Sequence, residues 1–225
     1  GVWRCYNFIE GCKTYDIVEN TRQAYQAGHA FGSFQDLVSD IDVDDIEETI
    51  PDFHDTPKRY MKLMEVIAAN PCDRVNSALP EIDFIQSRKH LTTKLIALRD
   101  EGKIPIRITH NDTKINNVMI DTETDEAVCV IALDTVMPGL SLYDFGDLVR
   151  TVVSPAAEDE QDLSKVEMRM PFFESLAEGY LDGCDCLCDT EIENLVFSGK
   201  LISLEIGIRF LTDYLEGDVY FKSKR

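Results

Sequence analysis

Thr109-His110-Asn111-Asp112-Thr113-Lys114-Ile115-Asn116-Asn117 is the stretch whose reading decides the fold. It lies between Ile104 to Ile108 and Asn117 to Ile120, two short runs rich in branched apolar residues that predict strands. A third predicted strand, Ala127 to Leu133, follows the polar turn Asp121 to Glu126 and ends on Asp134. Within the stretch a carboxylate, Asp112, is followed by an ammonium two residues on, Lys114, and by an amide five residues on, Asn117. That spacing suits phosphoryl transfer, in which the protein orients a hydroxyl and absorbs charge on the phosphoryl oxygens. The carboxylate accepts the hydroxyl proton, the lysine meets the phosphoryl group, and the amide oxygen is a hard ligand for a divalent cation.

Outward from this β island the periodicity is helical. Apolar side chains recur from Asp16 to Val38, interrupted by Gly28 and Gly32, two poor helix formers. An acidic loop, Asp40 to Glu48, reads as solvated surface. Helices are predicted over Pro57 to Ala69, over Ile82 to Arg99 with Gly102 closing it, and over Pro171 to Leu181. The last begins after Thr190, which forms a capping box with Glu193 and precedes an apolar stripe at Leu195, Leu201, Ile202, Ile206, Phe210 and Leu211. The fold class is therefore α+β, mostly helical with a small central β island carrying the loop. Val2 to Ile9 alternate like a strand, no Met opens the chain, and the chain stops in aromatic sequence at Val219-Tyr220-Phe221, so both ends are expected to be cut.

Composition excludes several classes of function. Acidic residues number 42 against 22 basic ones, giving a net charge of −20, which repels nucleic acid and anionic membranes. The 44% apolar content supports a packed core. Apolar runs such as Val128 to Leu133 are far shorter than a membrane span, and the start has no basic region leading into an apolar one. Seven scattered cysteines, an odd number, fit reduced thiols and a cytoplasmic location better than a disulfide framework.

Other polar clusters have plainer readings. Cys184-x-Cys186-x-Cys188 lacks the spacing of a zinc site and reads as a loop with free thiols. His54, flanked by acids, is either a solvated or capping residue or a substrate contact. His110 reads as a residue that fixes its loop by packing and hydrogen bonding, and Asp213 and Asp218 belong equally to a binding site or a helix end. A metal-assisted hydrolase built on His110 and Asp112 finds no further ligands at suitable spacing among four histidines.

His110-x-Asp112 with Asn117, Leu133-Asp134-Thr135-Val136-Met137-Pro138-Gly139, and Tyr143-Asp144-Phe145-Gly146-Asp147 resemble the aminoglycoside phosphotransferase and choline kinase superfamily. Phe53-His54-Asp55-Thr56 and the phrase from Gly207 to Phe221 make the N-acetylhexosamine 1-kinase branch the most similar. The resemblance implies a protein kinase-like fold that moves the γ-phosphate of ATP, with Mg²⁺, to the anomeric hydroxyl of an N-acetylhexosamine. It implies Asp112 as base, Asn117 as metal ligand, Arg209 and Tyr220 as sugar contacts, and Asp144 as a structural tie to the loop. Residues 1–225 would form the C-terminal catalytic and substrate-binding lobe, with a hinge at 3–9 and the nucleotide-binding lobe absent. One departure stands out: the family pattern Ile-Asp-Leu-Asp reads Ile131-Ala132-Leu133-Asp134 here. If the strand continued through these residues, Asp134 would lie on the face of position 132, displaced by roughly 6 to 7 Å, and could partly substitute as metal ligand. The alternative is a pseudokinase or interaction domain that has lost its metal carboxylate.

Overall fold

The computed structural model describes residues 3, 5–158 and 160–221. Its helices are α1 (Thr21–Leu37), α2 (Thr56–Ala69), α3 (Leu79–Gln86), α4 (Lys94–Asp100), α5 (Ser141–Val152), α6 (Met170–Gly183) and α7 (Asp189–Glu216). The strands are β1 (Cys12–Lys13), β2 (Arg107–Thr109), β3 (Val118–Asp121), β4 (Ala127–Val130) and β5 (Met137–Gly139). They form two small antiparallel sheets, one in the order β1-β3-β4 and one pairing β2 with β5. The arrangement is α+β and mostly helical, and no described helix is long and apolar enough to cross a membrane.

Several predicted boundaries move, each for a local reason. The alternation over residues 2–9 makes no strand: Trp3, Tyr6 and Phe8 are exposed, and Gly1, Val2 and Arg4 lie outside the described residues. β1 instead forms just beyond, with Cys12 opposite Asp121. The helix expected over Ile82 to Arg99 is broken into α3, a 3₁₀ turn at Lys89–Leu91, and α4. It serves two cores: Ile82 and Ile85 pack with α2 and the second half of α7, whereas Leu95 joins the core of α1, α5 and α6. The strand expected over Ala127 to Leu133 stops at Val130, because Ala132 adopts the left-handed region (φ 62°) and opens a 3₁₀ turn at Leu133–Thr135. The last helix starts at Asp189, so Cys188, not Thr190, is its cap, with Glu191 accepting from the Cys188 backbone N–H. At 28 residues α7 runs about 42 Å and supports both cores.

The glycines that weakened α1 as an isolated helix are what packs it. A Cβ on Gly28 would meet the Leu176 carbonyl oxygen at 2.2 Å, and one on Gly32 the Tyr180 carbonyl oxygen at 2.3 Å. From α6, a Cβ on Gly179 would meet the Tyr25 carbonyl oxygen at 2.1 Å and one on Gly183 that of His29 at 2.6 Å. Backbone touches backbone, so no rotamer can relieve an added methyl. Gly179→Ala, which in a free helix gains up to about 1 kcal/mol, is therefore expected to cost about 1–3 kcal/mol net here, read as a lower urea midpoint. A raised midpoint would show that the two helices do not touch.

All seven cysteines are free. The 184–188 segment is tied down: the Cys184 and Cys186 sulfurs lie 3.4 Å apart, and Asp36 accepts from the Asp185 backbone N–H. Burial, then the Cys186 thiol beside it, pushes the Cys184 thiol up to about 12, away from thiolate reactivity.

Candidate active site

The loop 110–117 leaves the end of β2, where Thr109 pairs with Met137 of β5. Its first turn hangs on Asp144 in the first turn of α5. The carboxylate accepts the backbone N–H groups of His110 (2.7 Å) and Asn111 (2.8 Å), and the Asp144 carbonyl accepts the Thr113 hydroxyl at 2.6 Å. Burial pushes the Asp144 carboxyl up, opposed by His110 and by those two N–H donors. This clamp holds Asn111 at φ 64°, a left-handed conformation that Asn tolerates. The Asn111 amide donates to the carbonyls of Thr109, Thr135 and Met137, so one side chain ties the loop to the end of β2 and the start of β5.

His110 is buried. Its Nε2 donates to the Ile131 carbonyl (2.9 Å), its Nδ1 accepts the Asp112 backbone N–H (3.2 Å), and Phe31 and Phe34 of α1 pack edge-on against the ring. These partners select the Nε2-protonated tautomer. Asn117 closes the loop, donating its amide N–H₂ to the Asp112 carbonyl (2.7 Å) and carboxylate (3.0 Å). The amide oxygen of Asn117 is then the atom it has left to offer a cation.

The Asp112 side chain is 35% exposed, with the Lys114 ammonium 3.7 Å from its carboxylate. Lys114 also lies 4.0 Å from Glu158, which pairs with Arg150 at 2.6 Å, and Arg150 pairs with Asp147 at 2.7 Å. Asp112, Lys114, Asp147, Arg150, Glu158, Arg209 and Tyr220 all line one cleft of about 360 Å³. The structure thus brings together Asp112, Lys114, Arg209 and Tyr220, with Asn117 bonded to Asp112 beneath them. Asp134 is not among the lining residues. It lies exposed in the 3₁₀ turn that replaces the predicted strand end, so the same-face relation with position 132 does not hold.

Tyr220 reaches the cleft because α7 ends on Gly217 (φ 104°) and the chain doubles back. Asp213 fixes that return by accepting the backbone N–H groups of Val219, Tyr220 and Phe221 at 2.7–3.0 Å. Of its two sequence readings, the helix-end one describes this contact, and Asp218 likewise pairs with Arg74 at 2.6 Å.

His54, read as a solvated residue or a substrate contact, is buried under the loop. It sits between the Glu205 carboxylate (Nδ1, 2.8 Å) and the Asn111 carbonyl (Nε2, 3.2 Å). Both partners are acceptors, so both ring nitrogens carry protons and the ring is an imidazolium. Burial is the largest influence and opposes that charge, yet the Glu205 charge and hydrogen bond, with Asp147 and the Asn111 carbonyl, together outweigh it and raise the His54 pKa. Glu205 is held below its ordinary value against its own burial, first by the His54 charge and then by hydrogen bonds from His54 and Thr56. Glu205 escaped the sequence reading because it is 151 residues from His54 and sits in a helical stripe that looks like core. Arg150 and Asp147, at helical i, i+3 spacing, carried a faint signal, whereas Glu158 lies in a loop with none.

For a divalent cation the fitting donors are hard oxygens, namely the Asn117 amide oxygen and the Asp112 carboxylate. Mg²⁺ that retains water and phosphate ligands needs only one or two such groups from protein. Ala132 contributes no side-chain oxygen.

Residues 2–180, more than half of the chain, match the family model described as "Phosphotransferase enzyme family". Among solved structures the chain is similar to a Plasmodium vivax ethanolamine kinase, at 15% identity and a TM-score of 0.44. The match covers 94% of this chain and 65% of that one, so this chain spans less than two thirds of that kinase's length.

Proposed function

The chain belongs to the phosphotransferase enzyme family, and from that premise we propose that its cleft transfers the γ-phosphoryl group of ATP to a hydroxyl of a small acceptor. The observation that carries this reading is that Asp112 and Lys114 open onto the cleft that Arg209 and Tyr220 line from the far end of α7. On the resemblance of its motifs the acceptor is an N-acetylhexosamine and the hydroxyl the anomeric one. Residues 1–225 act as the C-terminal catalytic and substrate-binding lobe, with residues 3–9 as hinge.

The acceptor oxygen attacks the γ-phosphorus, the bond from that phosphorus to the bridging oxygen of ADP breaks, and the hydroxyl proton passes to the Asp112 carboxylate. Lys114, 3.7 Å from Asp112 and 4.0 Å from Glu158, balances charge on the transferred group. Arg209 and Tyr220 orient the acceptor. His110 and Asp144 act through the loop as positioning residues. Mg²⁺, when bound, would neutralise the phosphate oxygens, and Asn117 would hold it, while Asp134, outside the cleft lining, is set aside as a ligand.

The test is ³¹P NMR of the intact protein with ATP, Mg²⁺ and N-acetylglucosamine or N-acetylgalactosamine. The expected result is a new phosphomonoester resonance matched by loss of the γ-phosphate signal. A second reading, a catalytically silent domain, is favoured by Ala132, which puts no carboxylate at a family metal position. No product with either sugar, together with nucleotide affinity that appears only in Ala132→Asp, would favour it.

A further inference from the structure

Beside the cleft lies a second cavity of about 370 Å³, walled by α2, the C-terminal half of α7 and the returning chain. The two share Ile50, Phe53, Arg209, Tyr220 and Phe221 as a common wall. This volume lies within the range of small-ligand pockets.

Its charges do not balance. Asp213 lines it but is committed to three backbone N–H groups, and Glu216 lines it but pairs with Lys62 at 2.9 Å. Arg59 and Arg209 remain, and neither has an ion-pair partner among the described residues. The Arg59 guanidinium donates from Nη2 to the Phe53 carbonyl at 3.0 Å. Its Nε is sealed from solvent without a partner among those residues, an unfavourable state for a buried donor. Arg209 lies over the rings of Phe53 (5.4 Å) and Phe221 (5.7 Å). Burial and then the Arg209 charge beside it lower the Arg59 pKa, with the Glu205 and Asp52 carboxylates opposing them in part, so the two guanidiniums repel each other. Two guanidiniums on one cavity, neither in an ion pair among the described residues, stand out in a chain of net charge −20, and an oxyanion that bridges their planar forks relieves their repulsion.

We propose that Arg59 and Arg209 form an oxyanion subsite, for a carboxylate or phosphate group of a ligand that also occupies the Asp112 cleft. The shared chemistry is a planar or tetrahedral oxyanion accepting guanidinium N–H groups while the ligand's carbon skeleton lies on Phe53 and Phe221. Given the proposed transfer, on which this subsite rests, the oxyanion is borne by the phosphorylated product or, in place of the neutral N-acetylhexosamine, by an acidic sugar as acceptor.

Isothermal titration separates these sources. Inorganic phosphate is the first probe, with sodium chloride at matched ionic strength as control. Binding is expected to weaken about tenfold in Arg59→Gln and in Arg209→Gln, and less in Arg59→Lys, which keeps charge but loses the fork. Lys58→Gln, an exposed position paired with Asp52 outside the cavity, is expected to bind phosphate as wild type does. Glucuronate, N-acetylglucosamine 1-phosphate and neutral N-acetylglucosamine follow. Arg59-dependent preference for glucuronate assigns the subsite to the acceptor, and the same preference for the sugar phosphate assigns it to the product. Phosphate binding that is absent, or equal in wild type and both glutamine variants with their melting curves intact, overturns the proposal. Because these are binding readouts, failure of phosphoryl transfer leaves them interpretable, and failure here leaves the role of Asp112 standing.

Discussion

Asp112→Asn is expected to lower kcat about 1000-fold, within the range of about 10² to 10⁴ that a general base contributes. The fold should be untouched. Asn117 donates to the carbonyl as well as to the carboxylate of Asp112, and the amide oxygen of the substituted side chain can accept the second bond. The Lys114 contact, at 3.7 Å between side chains about one-third exposed, adds little stability. Steady-state kinetics with an ADP readout, beside a melting curve, checks this. A kcat loss of a few-fold at unchanged melting temperature would remove Asp112 from the role of base.

Glu205→Gln is expected to carry the largest cost in stability, about 3–5 kcal/mol, because it leaves the buried His54 imidazolium without its counter-charge. For a chain of this length that lowers Tm by roughly 10 °C. The effect depends on pH in a direction the two shifts set. His54 is raised above its unfolded value of 6.5, so its contribution is complete below that pH and is lost as pH climbs through the raised native value. Glu205 is lowered beneath its unfolded value of 4.5, so its contribution is complete above that pH and fades as pH falls through the lowered native value. The gap in Tm between wild type and Glu205→Gln should therefore be widest between 4.5 and 6.5 and narrow on the alkaline side. Thermal melts at stepped pH read it directly. A gap that widens above neutrality would mean that His54 is neutral and bonded differently. Since Asn111 receives the other His54 proton at 3.2 Å, the variant should also lower kcat by loosening the turn before Asp112.

The loop 110–117 between two strands was legible because its information is local. Asp112, Lys114 and Asn117 keep their spacing whatever surrounds them, and the strands on either side announce themselves by composition. Gly28 was misread for the opposite reason: intrinsic propensity counts it against a helix, while its value lies in letting Leu176 approach, which no neighbouring residue encodes. Ala132 was assigned to a strand on the apolar run from Ala127, and the left-handed turn that ends the strand has no glycine to mark it. The split of the predicted Ile82 to Arg99 helix depends on two cores pulling one apolar stripe in different directions. His54 with Glu205, and Arg59 with Arg209, come together only through the docking of α2 on α7, so charge pattern along the chain cannot pair them.

The proposal that Asp112 and Asn117 meet a metal-bound triphosphate is tested most directly by titrating Mn²⁺·ATP into ¹⁵N-labelled protein. Paramagnetic broadening centred on the amides of residues 112–117, and strongly reduced in Asn117→Ala, is the predicted result. Broadening that leaves that loop sharp while appearing elsewhere, such as around Asp36 and Cys186, would contradict it.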